Sequence, residues 1–316
     1  MKYRRTLIGG LVTAVAVGGV WAGMSVSEAA TTKAAAAGLA VRGAAPYIYT
    51  GVSGTKDPVN VMKVTGVKAF TLAFILNKGT CAPVWDSGTL NDSGKQSLIN
   101  KIRGAGGDVV VSFGGASGNK LANSCANETA LAGAYQKVID LYKLKAIDID
   151  LEAGEVSQSL KVLKALRIVK TKNPGVSTIL TLGTGTGGLV DAEAKIPGQA
   201  ATVSGGSPVD NWTIMPFDFG DNDSGIDHGK ATVSAEEGLH KQLKAALGGT
   251  DASIYAKQGI SSMNAKTDSN GNVTVANFNT MLAYVQQHGL TRFTYWELSR
   301  DTSNLDYTKV IGKFTG

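Results

Sequence analysis

Asp148, Asp150 and Glu152 occupy every second position of the segment Ala146-Ile-Asp-Ile-Asp-Leu-Glu152. In a strand, alternate side chains leave opposite faces, so the three acids share one face and Ile147, Ile149 and Leu151 share the other. Carboxylates spaced about 7 Å apart on a buried face repel one another and raise each other's proton affinity. That arrangement suits acid catalysis, which needs one carboxyl that keeps its proton near neutral pH and another that stabilises developing positive charge. The plainer alternative is the polar face of a solvated edge strand. The purely apolar alternate residues, and the long helical patterns on both sides, argue for a central strand instead.

Eight apolar segments alternate with helical patterns along the chain. The strand segments are 46–50, 69–76, 109–115, 146–152, 177–182, 212–218, 259–263 and 292–298. The clearest helices are 94–105, 128–142, 157–172, 235–247 and 277–288. This alternation predicts an α/β fold of the (β/α)8 TIM-barrel type in a single domain spanning 44–316. Barrel enzymes place their chemistry at the C-terminal ends of the strands. Glu152 at the end of the fourth strand, Asp218 at the end of the sixth and Trp296 late in the eighth therefore converge on one rim.

Residues 1–29 read as a signal peptide, with a basic start at Lys2, Arg4 and Arg5, an apolar run and a small-residue site around Ala29. Residues 30–43 read as a flexible lead. Removing 1–29 lowers the net charge from +6 to +4, because that segment carries three basic side chains and one acidic one. The remaining charge is spread out, which argues against a nucleic-acid groove. The expected location is secreted and extracellular, without stable membrane association. In that oxidising setting Cys81 and Cys125 are expected to form one disulfide, worth roughly 4 kcal/mol in the chain-entropy picture. Neither cysteine, nor His228, His240 or His288, has metal-ligand spacing, so no metal and no cofactor is expected. Gly183-Thr-Gly-Thr-Gly-Gly188 matches a dinucleotide fingerprint only formally and reads as a flexible rim loop. Trp85 either stacks on a ligand at the rim or simply packs, and Trp212 reads as core.

Four motifs in order carry a resemblance. Asp148-x-Asp150-x-Glu152 resembles the signature of glycoside hydrolase family 18, the chitinases and their relatives. Ser112-Phe-Gly-Gly115 resembles that family's Ser-x-Gly-Gly element, Met215-Pro-Phe-Asp218 its Met-x-Tyr-Asp element, and Tyr295-Trp-Glu-Leu-Ser-Arg-Asp301 its Trp-bearing eighth strand. Pro46-Tyr47 and the stretch 106–115 resemble the compact secreted bacterial chitinases within it. The resemblance implies hydrolysis of β-1,4-linked N-acetylglucosamine polymers with retention, assisted by the substrate's own acetamido group. It implies Glu152 as general acid, Asp150 as partner of the acetamide N–H, and Asp148 as a deeper acid sharing a proton with Asp150. It further implies Asp218, Trp296, Met215, Phe217, Tyr47 and Gly115 as substrate-binding positions. The expected partner is chitin or its oligosaccharides, and the expected state is a monomer.

Two positions depart from the family pattern. Lys145 replaces an acid at the strand start, away from the chemistry. Phe217 and Phe219 stand where the family places a Tyr hydroxyl on the acetamido oxygen. Tyr47, Tyr49 and Tyr295 are the available substitutes. The Phe pair keeps open a catalytically weak or inactive carbohydrate-binding barrel, and the acid signature also fits an endo-β-N-acetylglucosaminidase.

Overall fold

The structure, a computed structural model, describes residues 43–52 and 54–316. The expected signal peptide, and the lead up to residue 42, lie outside the described residues. Eight strands form the barrel: β1 (Tyr47–Tyr49), β2 (Ala69–Asn77), β3 (Asp108–Gly114), β4 (Ala146–Leu151), β5 (Ser177–Gly183), β6 (Asn211–Met215), β7 (Gln258–Met263) and β8 (Arg292–Trp296). Helices α1 (Pro58–Thr65), α2 (Ser93–Gly104), α3 (Glu128–Tyr142), α4 (Ser159–Lys172), α5 (Ile196–Thr202), α6 (His228–Leu247), α7 (Val275–His288) and α8 (Asp306–Ile311) follow the strands in turn.

Neighbouring barrel strands pair in parallel, β1 through β8 in sequence order. The first staircase of the barrel is split. Gly43–Ala44 pairs with β8 and Tyr47–Tyr49 with β2, so one chain segment closes the ring. Pro46 lacks an N–H and marks the break. The Ala45 carbonyl between the two pieces accepts from Thr71 of β2 (2.9 Å) and Thr294 of β8 (2.5 Å), stitching the closure. The main core lies between sheet and helices, where Ile147, Ile149 and Leu151 of β4 are buried. Val110, Ala146 and Ile179 form a small separate cluster on the other face of β3, β4 and β5. Among the described residues no helix is long and apolar enough to cross a membrane.

Local signals account for the helix limits. Asn127 caps α3, Asp92 caps α2, and Thr274 and Asn277 form a reciprocal capping box on α7. Helix α6 begins at His228, two turns before the apolar periodicity predicts, because Asp227 caps it through the N–H groups of Gly229 and Lys230. A 3₁₀ turn, Ala153–Gln158, precedes α4. Strand β6 ends at Met215 rather than reaching Asp218, since Pro216 cannot donate and the Phe217 N–H turns back to the Met215 carbonyl (2.9 Å). The glycine stretch 183–188 is not a loose loop. It folds into a Gly185–Gly188 bridge lying directly on α6 at Gly238 and tied by the Gln242 amide to Leu189.

Cys81 and Cys125 are joined, as expected, with Cα atoms 4.6 Å apart. The bond links the loop after β2 to the short helix Leu121–Ser124 after β3. Lys145 at the start of β4 pairs with Asp108 at 3.0 Å, far along the strand from the acids.

Candidate active site

Strand β4 carries Asp148 and Asp150 on its inward face, with Glu152 one residue past its end. Asp148 is fully buried and takes three hydroxyl donors, each at 2.7 Å: Tyr47 from β1, Ser112 from β3 and Thr181 from β5. Hydroxyls thus take three of its roughly four acceptor positions. Parallel register explains the convergence, because Ser112 lies beside Asp148 and Thr181 beside Asp150.

Asp150 is 4% exposed, and its Oδ1 has no hydrogen-bond partner among the described residues. Burial pushes its pKa well above the usual carboxylate value, and the neighbouring Glu152 and Asp148 charges add to that. Glu152 is half-buried; burial raises its pKa too, with Lys120 opposing and Asp268 reinforcing the shift. A raised pKa is what a general acid working near neutral pH requires.

These acids open onto a cleft of about 610 Å3, mouth included, at the C-terminal end of the barrel. Tyr47, Asp150, Glu152, Met215, Phe217, Asp218 and Trp296, all predicted from sequence, line it. Aromatic rings form one wall: Phe74 stacks under Trp296 with centroids 5.3 Å apart and planes at 14°, and Tyr47 and Tyr49 each lie 5.7 Å from Trp296. Asp218, in a left-handed conformation at φ 51°, accepts the Ser269 N–H at 2.7 Å. It thereby holds the hairpin Ala265–Lys266/Asn272–Val273 against the β6–α6 connection.

Gly115 does not line the cleft. Together with Gly114 it shapes the turn that closes on β4. The Gly115 N–H donates to the Asp150 carbonyl at 2.9 Å. Both glycines have positive φ, and a Cβ would stand 2.2 Å from the Asp150 carbonyl oxygen at Gly114 and 2.7 Å from the Phe74 ring at Gly115. Trp85 is not at the rim either. It is 1% exposed, sits in the strand Pro83–Trp85 against β2, and gives its indole N–H to the Tyr142 hydroxyl (2.8 Å). Trp212 is core, as predicted.

The three candidate substitute tyrosines are all committed. Tyr47 bonds Asp148, Tyr49 bonds Asp86 at 2.5 Å, and Tyr295, fully buried, bonds Asp301 and Thr308. Phe219 stacks on His228 with centroids 5.9 Å apart and does not line the cleft, so of the two Phe positions Phe217 alone faces it.

Sequence reasoning missed Phe74, Ser261, Met263 and Asp268, which also line the cleft. Ser261 and Met263 alternate at the end of β7, a signal available from the barrel rule. Phe74, late in the second strand, was open to the same rule, whereas Asp268 had no such signal. Among the described residues no group of three or more His, Cys, Asp or Glu side chains could hold a metal.

No family model matches the chain. It is similar to a probable bifunctional chitinase/lysozyme from Escherichia coli strain K12, at 29% identity over 276 residues, and to endochitinase 11 from Metarhizium anisopliae, at 28% over 273 residues. Each match covers 81% of this chain but only 30% and 52% of those relatives' own lengths. Among solved structures, the catalytic domain of a hyperthermophilic chitinase from Pyrococcus furiosus superposes with a TM-score of 0.75 at 28% identity, covering 87% of this chain and 95% of that one. Catalytic-site mutants of active domain 2 of a thermostable chitinase from the same organism, complexed with chito-oligosaccharides, match at 26% identity and a TM-score of 0.74, covering 87% of this chain and 94% of that one.

Proposed function

We propose that this chain is a chitinase of glycoside hydrolase family 18, secreted, that cleaves β-1,4-linked N-acetylglucosamine polymers internally. The observation that carries the reading is the acid ladder on β4. Asp148 takes three hydroxyl donors, Asp150 lines the cleft with its buried Oδ1 unpartnered among the described residues, and Glu152 stands at the mouth with a raised pKa. The chitinase relatives and structural neighbours support it. The basic, apolar start of the sequence supports export.

In this reading the protonated Glu152 gives its proton to the glycosidic oxygen as the bond to the anomeric carbon breaks. The substrate's acetamido oxygen bonds that carbon from the opposite face, forming an oxazolinium ion. Asp150 accepts the acetamide N–H and its carboxylate counters the positive charge. Glu152, now ionised, takes a proton from water, whose oxygen replaces the acetamido oxygen. Two displacements retain the configuration. Trp296, backed by Phe74, provides the flat apolar surface on which a sugar ring stacks.

This route demands an acetamido group. Equal chain lengths of N-acetylglucosamine, glucosamine and glucose oligomers, offered separately, test it: only the first should be cut efficiently, and equal rates on the glucose oligomer would exclude the mechanism.

A second reading has one observation in its favour. The cleft-facing position of the Met-x-Tyr-Asp element is Phe217, and Tyr47, Tyr49 and Tyr295 are otherwise engaged. A barrel that binds chitin oligomers but turns them over slowly fits that observation. Binding without measurable product over the same oligomers distinguishes it.

A further inference from the structure

Lys120 is 5% exposed and lies at the end of the loop that leads from β3 into the short helix Leu121–Ser124. Its side chain donates to the carbonyls of Gly114 (3.1 Å), Gly115 and Ser117 (2.5 Å). An ammonium has three N–H donors and a neutral amine two, so filling three acceptors requires the charged form. All three donors go to backbone, and none is left for a carboxylate. The charge is thus present in the site without being bound in a hydrogen-bonded ion pair.

We propose that Lys120 is a positioning residue for this site: its buried ammonium fastens the Gly114–Gly115 turn against β4 and acts as the through-space counter-charge to the Asp150, Glu152 and Glu155 carboxyls. The fastening role follows from the hydrogen bonds. The turn that Lys120 grips is the one whose Gly115 N–H holds the Asp150 carbonyl, so the backbone bearing the acids is set from behind by one cation. The electrostatic role follows from placement. Glu155 lies in the 3₁₀ turn after Glu152, buried beneath Gly114, with Oε1 on the Ala122 N–H (3.2 Å) and Oε2 unpartnered among the described residues.

Every charged group around this cluster enters the balance. Burial draws the Lys120 pKa down, and Glu155, Glu152, Asp150 and Asp86 push it back up. In return Lys120 opposes the upward shifts of all three carboxyls: Asp150, which also feels Glu152, Asp148 and Glu155; Glu152, which also feels Asp268; and Glu155. Tyr135 faces Glu155 from α3 and is neutral, its pKa driven well above the usual value by burial.

The electrostatic part rests on the reading of Glu152 as the general acid, and the test separates the two. Lys120→Gln keeps N–H donors but removes the charge, Lys120→Met removes both, and Lys120→Arg keeps both. Carboxyl midpoints of Glu152 and Asp150 are read by 13C NMR in the full chain without substrate, alongside pH profiles of kcat/KM on a chitin oligosaccharide. Both neutral variants should move the midpoints, and the alkaline limb of the profile, to higher pH; Lys120→Arg should leave them near wild type. A merely structural lysine would lower activity at all pH values without moving the limb. Unmoved midpoints in Lys120→Gln and Lys120→Met, or an equal displacement in Lys120→Arg, would overturn the proposal. Failure of both neutral variants to fold, with Lys120→Arg folding, would support the fastening role and overturn the separate assignment of a counter-charge role. If the wild type cuts no chitin oligomer, the functional reading fails while the NMR midpoints still decide the role of Lys120.

Discussion

The Tyr47 hydroxyl donates a 2.7 Å hydrogen bond to the Asp148 carboxylate across the barrel interior, joining β1 to β4. Burial drives the Tyr47 pKa far upward and the Asp148 and Asp150 charges reinforce it, so the phenol remains a donor at every working pH. Tyr47 thus serves the acid ladder with its hydroxyl, and only its ring faces the cleft.

Tyr47→Phe keeps the ring and removes one of the three donors to Asp148. A hydrogen bond to a buried charged group contributes about 1.5–3 kcal/mol. We expect the unfolding free energy to fall by about that amount, with a lowered melting temperature, and kcat/KM to fall at constant cleft shape. Steady-state kinetics and thermal unfolding of the purified variant check both.

Glu155 makes stability pH-dependent. Its folded-state pKa, raised chiefly by burial, is about 7 against an ordinary value of 4.5. Between those values the unfolded chain has lost a proton that the folded chain keeps, so folding binds protons and stability falls as pH rises. The loss from this group begins near pH 4.5 and is complete above pH 7, at about 3 kcal/mol. Glu155→Gln should remove that component. Denaturant unfolding of both proteins at pH 5 and pH 8 should show a smaller pH-dependent loss in the variant.

Much of this was legible in the chain. The acid ladder and the eight strands announce themselves by period-2 and period-3.6 patterning, and α3 runs over the predicted span because Asn127 caps it and the apolar stripe continues to Tyr142. What was not legible depends on contacts between distant elements. Trp85 looks like a rim aromatic until Pro83–Trp85 is seen paired antiparallel to β2. Phe219 looks equivalent to Phe217 until the turn at Pro216 and the left-handed Asp218 send the two rings to different places. Lys120 sits in a Gly/Ser loop with no pattern, and its importance comes only from three carbonyls converging on it.

The disulfide spans a loop of 44 residues and ties the loop after β2 to the segment that begins with Lys120. Replacing both cysteines by serine should lower the unfolding free energy by about 2–4 kcal/mol. Urea denaturation of the double variant against the wild type measures it. A change below 1 kcal/mol would mean the loop is already constrained by its packing.

Phe217 faces the cleft with no hydroxyl. Phe217→Tyr should raise turnover of chitin oligomers, toward the worth of one well-placed oxyanion-type donor, about 3 kcal/mol at most. Phe219→Tyr should not, because that ring faces His228. Parallel kcat measurements on the two variants check the distinction.

The proposed chemistry turns on Glu152. The most direct measurement is wild type beside Glu152→Gln on a single chitin oligosaccharide, with product masses and the anomer first released followed by NMR. We predict shorter N-acetylglucosamine oligomers released with the configuration retained, and a rate for Glu152→Gln lower by roughly 10²–10⁴-fold with oligomer binding kept. Near-normal turnover by Glu152→Gln, or an inverted anomer from the wild type, would contradict it.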